Sequence, residues 1–147
     1  KQIANKGVFP ITHRNMTRFN ISLNEGIKVV DWALENALGG EIIVPKIPSY
    51  RLVDVAKSIN PRCKLKYVGL RKGEKIHEEM ITASDSFTTY DIDKFYLILK
   101  DNEKKTLTLY KKKFKSIKKV KEGFSYSSDS NKFFLDIKQL KKMIKKI

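Results

Sequence analysis

Arg71 and Glu74, three residues apart, carry the most suggestive chemistry in this 147-residue chain. They lie in Gly69-Leu70-Arg71-Lys72-Gly73-Glu74-Lys75-Ile76-His77-Glu78-Glu79-Met80-Ile81, where two glycines bracket the arginine. A guanidinium presents a planar fork of N–H donors that matches phosphate oxygens two at a time. A carboxylate beside it can accept hydrogen bonds from ribose hydroxyls. The pattern reads as a clamp for a nucleotide diphosphate at a strand-to-loop junction. A charged surface loop leading into a helix fits the same residues, because short charged motifs recur by chance.

Other chemistry is harder to find. There is no GxGxxG dinucleotide loop, no Walker loop and no Gly-x-Ser-x-Gly elbow. His13 and His77 lie far apart without a ligand set around them, so no metal site is expected. Tyr90 with Lys94 and Tyr96 with Lys100 repeat a Tyr-x-x-x-Lys spacing. On a helix that spacing stacks the two side chains on one face. Both pairs fall in expected strands or turns, and they read as chance matches. His77, Glu78 and Glu79 could serve as an acid/base group, but read more simply as the polar face of a helix start. The single cysteine, Cys63, has no partner for an internal disulfide and fits a reducing cytoplasm.

The elements that must position the clamp can be traced in order. Lys1 to Lys6 reads as the tail of a helix ended by Gly7, with residue 1 a cut edge. Val8–Ile11 reads as a strand, followed by a polar loop with Arg14 and Arg18. Ser22-Leu23-Asn24-Glu25 is a capping-box pattern. The helix behind it carries Leu23, Ile27, Val30, Ala33, Leu34 and Leu38 at helical period, with Trp32 at the edge of that stripe. Gly39-Gly40 stops it. Glu41 to Pro45 reads as a strand, Tyr50 to Ile59 as a helix capped by Ser49, and Lys64 to Val68 as the strand entering the clamp. A helix is then expected through Ile76, Met80 and Ile81. Phe87–Tyr90, Phe95–Leu99 and Thr106–Tyr110 read as strands, and Lys111 to Lys121 as a mobile lysine run. Asp136 opens a terminal basic helix with Ile137, Leu140, Ile144 and Ile147 on one face, expected to dock on the core. The expected organisation is one mixed α/β domain. Residues 1–81 form a region with the clamp, and residues 82–147 supply strands, the lysine-rich segment and the terminal helix.

The net charge of +15 is unevenly placed. Residues 1–99 carry +4 and residues 100–147 carry +11, nearly all of the latter lysine. Such a patch can attract nucleic acid or an anionic surface. The lysines are not interleaved with arginines and aromatics, so a solvated face is the preferred reading and nucleic acid is set aside. No apolar run is long enough to cross a bilayer.

Three ordered blocks carry a resemblance. Ile11-Thr12-His13-Arg14-Asn15-Met16-Thr17-Arg18-Phe19, then Gly40-Glu41-Ile42-Ile43-Val44-Pro45-Lys46-Ile47-Pro48-Ser49, then Gly69 to Ile81, resemble the C-terminal part of bacterial inverting UDP-N-acetylglucosamine 4,6-dehydratases. These belong to the extended short-chain dehydrogenase/reductases. The ending, Phe124 to Asn131 and the Asp136 helix, is similar too. The resemblance implies a mixed α/β, substrate-binding part without the Rossmann half, which would hold NADP and the catalytic residues. It implies that Arg18 and Arg71 reach the diphosphate of UDP-N-acetylglucosamine, that Glu74 binds the ribose, and that Met16 and Thr17 lie near the substrate pocket. No catalytic, cofactor or metal residue is implied in this chain. The family's usual proline is replaced at Lys72 and at Arg14. The implied partners are the missing half and, through apolar surface left uncovered, further copies of the chain. A UDP-sugar epimerase part and a basic binding module are the alternatives.

Overall fold

The computed structural model describes residues 7–100 and 104–145, so the expected helix tail at Lys1–Lys6 lies outside the described residues. The chain divides into two compact units. The first comprises Lys1–Asn20, Pro48–Glu78 and Ser127–Ile147, and the second Ile21–Ile47 and Glu79–Tyr126.

In the first unit β1 (Val8–Ile11) pairs in parallel with β5 (Lys64–Tyr67), and β2 (Thr17–Phe19) pairs antiparallel with β4 (Ser49–Arg51). Helix α2 (Leu52–Ile59) follows β4 directly and packs on the terminal helix α4 (Ile137–Ile144). The expected start at Tyr50 with a Ser49 cap is therefore corrected. Ser49 is fully buried as a strand residue, its amide donating to the Phe133 carbonyl oxygen at 2.9 Å. No side chain caps α2; Arg51 stands at its N-cap. Helix α4 starts where the sequence places it. The Asp136 carboxylate accepts from the Gln139 amide at 2.7 Å, and the Gln139 side chain accepts from the Asp136 amide at 2.8 Å. Leu140 buries the inner face of α4, and Ala56 and Ser58 bury that of α2.

The second unit is built on a four-stranded antiparallel sheet in the order β3-β8-β7-β9. Its strands are β3 (Ile42–Pro45), β7 (Thr89–Ile92), β8 (Phe95–Ile98) and β9 (Lys118–Lys119). Leu97 in central β8 is fully buried and stands opposite Ile43 and Tyr90. The core joins Tyr90, Ile92, Leu97, Leu99 and Tyr110. Asp93 turns the chain between β7 and β8 with φ +67°, a conformation that a short polar side chain tolerates. Strand β6 (Glu79–Ile81), a short 3-10 helix at Ser84–Thr88, and β10 (Tyr126–Ser127) are further short elements. The 3-10 helix replaces the first half of the expected Phe87–Tyr90 strand.

Helix α1 (Leu23–Asn36) has the expected capping box between Ser22 and Glu25. Its orientation departs from expectation. No residue of α1 is fully buried, and Leu23, Ile27, Val30 and Leu34 are exposed. The inner face instead runs through Val29, Trp32, Ala33 and Asn36. Trp32 stacks on Phe95 at 4.4 Å and on Phe114 at 5.6 Å.

Residues Lys104–Lys113 form helix α3, where the alternation Thr106-Leu107-Thr108-Leu109-Tyr110 suggested a strand. Leu107, Tyr110 and Phe114 recur at helical spacing and face the core, so packing overrides the local β preference. Phe114 and Ile117 also pack against that core, so the lysine run is anchored at both.

Tyr110 is completely buried, and its hydroxyl donates to the Glu41 carboxylate. The Leu38 amide donates to the same carboxylate at 2.6 Å. Burial alone would raise the Glu41 pKa, but the hydrogen bonds from Tyr110 and from backbone amides outweigh it and hold it below the ordinary value. Burial and the Glu41 carboxylate together push the Tyr110 phenol far up. Glu41 thus contributes stability that is complete above its unfolded pKa and is lost as pH falls through its lowered folded pKa. Tyr110→Phe is expected to cost about 1–3 kcal/mol at neutral pH, because a partly buried carboxylate loses its hydroxyl donor. The loss should shrink in acid, once Glu41 is protonated in both proteins. Urea unfolding at several pH values checks this, and a pH-independent loss would contradict it.

Candidate nucleotide-binding site

All five residues singled out for binding lie in the first unit. After the expected loop at Gly69–Gly73, the helix expected through Ile76, Met80 and Ile81 is absent: the loop continues to Glu78 and ends in β6. The correction has a specific cause. The Glu78 amide donates to Ser128 Oγ at 2.9 Å, and the Ser128 amide donates to the Glu78 carbonyl oxygen at 2.8 Å. These contacts hold residue 78 extended against a segment 50 residues away.

At the tip, the Glu74 amide donates to the Arg71 carbonyl oxygen at 3.0 Å, and the Arg71 amide donates to Glu74 Oε2 at 3.1 Å. The two residues therefore close one tight turn on each other. Gly73 within it has φ +79°, a backbone state that side chains with a Cβ rarely adopt. Arg71 is exposed, and among the described residues its guanidinium has no protein partner. It is flanked by exposed Lys72 and Lys75. Arg14 lies 5.5 Å from the centre of the Tyr67 ring.

Arg18 is placed differently. Its Nη1 donates to the carbonyl oxygens of Thr17 at 2.7 Å and Ile76 at 3.0 Å, and its Nη2 donates to that of Lys75 at 2.9 Å. Its Nε lies 3.6 Å from Glu78 Oε1. Three of its five N–H groups thus hydrogen-bond protein carbonyls and Nε stands at ion-pair distance from Glu78, which leaves one N–H on Nη2. The Thr17 amide adds a bond to the Ile76 carbonyl oxygen at 3.1 Å. Strand β2 therefore grips the root of the loop, while Arg71 stands at its tip. Met16 and Thr17 are both buried.

A polar cluster, not anticipated as a unit from the sequence, lies beneath. Thr17 Oγ1 is hydrogen-bonded to His77 Nδ1 and to Ser128 Oγ, each at 2.7 Å. Glu78 Oε2 accepts from the Phe19 amide at 2.7 Å. The Ser127 hydroxyl donates to Asp129 at 2.5 Å. That bond, with help from the nearby His77, holds the Asp129 carboxyl below its ordinary range. Burial, assisted by the Glu78 charge, pushes the Tyr50 hydroxyl up. Among the described residues no cluster of three or more metal-ligating side chains occurs, and no helix is long and apolar enough to cross a membrane.

With this geometry in hand, comparison with known proteins gives consistent results. Among solved structures, the X-ray structure of Pen from Bacillus thuringiensis superposes with a TM-score of 0.74 at 24% identity, covering 99% of this chain and 43% of that one. The two chains share a mixed α/β fold. The family model described as polysaccharide biosynthesis protein matches residues 1–100, and the chain belongs to that family. An inverting UDP-N-acetylglucosamine 4,6-dehydratase of Campylobacter jejuni is 41% identical over 98% of this chain and 45% of its own length. A UDP-glucose 4-epimerase of Rickettsia akari is 29% identical over 97% of this chain and 42% of its own length. The chain thus spans less than half the length of these relatives.

Proposed function

We propose that this chain is the nucleotide-sugar-binding part of a cytoplasmic UDP-N-acetylglucosamine 4,6-dehydratase that also epimerises C5, serving surface-polysaccharide or flagellin-glycan synthesis. The observation that carries the reading is the Arg71–Glu74 turn, presented at the tip of a loop whose root is gripped by Arg18. Arg71 supplies the fork for the diphosphate, and Glu74 the carboxylate for the ribose. The remaining N–H of Arg18 reaches the same diphosphate, over the buried floor of Met16 and Thr17. A grip on this remote handle orients the sugar without touching the reacting carbons. The higher identity to the dehydratase than to the epimerase supports the first reaction over the second.

NADP does not fit the described residues. None of the glycine turns with positive φ joins a strand to a helix N-terminus, the geometry that cradles a dinucleotide pyrophosphate. The proposal therefore assigns the cofactor and the chemistry to the part of the relatives' length that this chain does not span. The chain alone is expected to bind UDP-N-acetylglucosamine by titration calorimetry and to give no turnover when NADP is added. Turnover by the pure chain would overturn the division of labour. Failure to bind UDP would overturn the site.

A further inference from the structure

We propose that Glu78 is a positioning residue that sets the Arg71 turn through Arg18. Its carboxylate does two things at once. Oε2 accepts from the Phe19 amide at the end of β2, and Oε1 pairs with Arg18 Nε. The second contact, an ion pair at 3.6 Å, places a negative charge on the Nε side of the guanidinium. Nη1 and Nη2 meet the carbonyl oxygens of Ile76 and Lys75, the residues immediately after the turn. Glu78 is itself held at both backbone groups by Ser128. A chain of contacts therefore runs from Ser128 through Glu78 and Arg18 to the loop that carries Arg71 and Glu74. Arg18 acts mainly on protein carbonyls in this chain, and Glu78 makes that possible.

The consequence for ligand binding rests on the proposed UDP site, whereas the effect on the loop does not. Glu78→Gln keeps an acceptor for the Phe19 amide but removes the charge facing Arg18. In the ligand-free full chain, hydrogen exchange of the amides in residues 69–77 is expected to rise about tenfold, the loss of one charge-assisted contact. Exchange in Ile42–Pro45 and Phe95–Ile98 of the second unit should not change. UDP affinity should fall while weak binding of uridine, which lacks phosphate, is preserved. With Arg18→Lys already present, Glu78→Gln should add little, because both changes break one chain of contacts.

Unchanged exchange in residues 69–77 would overturn the inference. A uniform rise across both units would also overturn it, since that is the mark of general destabilisation. Accelerated loop exchange in a protein whose unsubstituted form binds no UDP would support the positioning role and sink the nucleotide site instead.

Discussion

Replacing Arg71 by alanine is expected to weaken UDP binding about a hundredfold, the loss of two charge-assisted hydrogen bonds of about 1.5 kcal/mol each. The same change should leave the unfolding midpoint nearly where it was. The side chain is exposed and has no protein partner among the described residues. Exposed substitutions of this kind usually stay within about 0.5 kcal/mol. Arg71→Lys should fall between the two proteins, because lysine keeps the charge but loses the planar fork. Uridine affinity should be the same in all three. Calorimetric titration of each variant with UDP and with uridine makes the comparison. Equal UDP affinity in Arg71→Ala and the unsubstituted chain would remove Arg71 from the site.

The second large effect concerns stability. Leu97→Ala is expected to cost about 2–5 kcal/mol, since it opens a cavity in the central strand of the four-stranded sheet. Leu34→Ala, on the outer face of α1, should cost less than about 0.5 kcal/mol from lost burial, because that side chain is 82% exposed. Both are leucines within regular elements. Urea unfolding followed by tryptophan fluorescence is a direct probe, because Trp32 packs against the core that contains Leu97. Equal losses at the two positions would contradict the packing described.

Local rules made much of the fold legible. The boxes at Ser22–Glu25 and Asp136–Gln139 need only four residues to be recognised, and both form as read. Gly69 and Gly73 marked a loop around Arg71, but nothing local showed that Arg71 and Glu74 close on each other. What stayed hidden depends on distant partners. His77 and Glu78 looked like a helix face because Ser128, which holds residue 78 extended, lies 50 residues further on. The α3 segment looked like a strand because its alternating threonines and leucines masked the spacing of Leu107, Tyr110 and Phe114. The face that α1 turns inward was misjudged because Trp32 finds aromatic partners in Phe95 and Phe114, while Leu23, Ile27, Val30 and Leu34 are left exposed. Arg18 was expected at the diphosphate, and the residues around it give no sign that it donates to the carbonyl oxygens of Lys75 and Ile76.

The outward stripe of Leu23, Ile27, Val30 and Leu34 also bears on how the chain behaves in a concentrated solution. A net charge of +15 keeps molecules apart over long distances, whereas apolar stripes attract only on contact. Added salt acts on the two forces in opposite directions. At about 0.15 M the screening length is roughly 8 Å, so the repulsion fades before two helices touch. Sulfate and phosphate go further and strengthen apolar association. Solubility of the chain should therefore decline steadily from dilute buffer upward, and substituting serine at Leu23 and Leu34 should flatten that decline while every lysine remains in place.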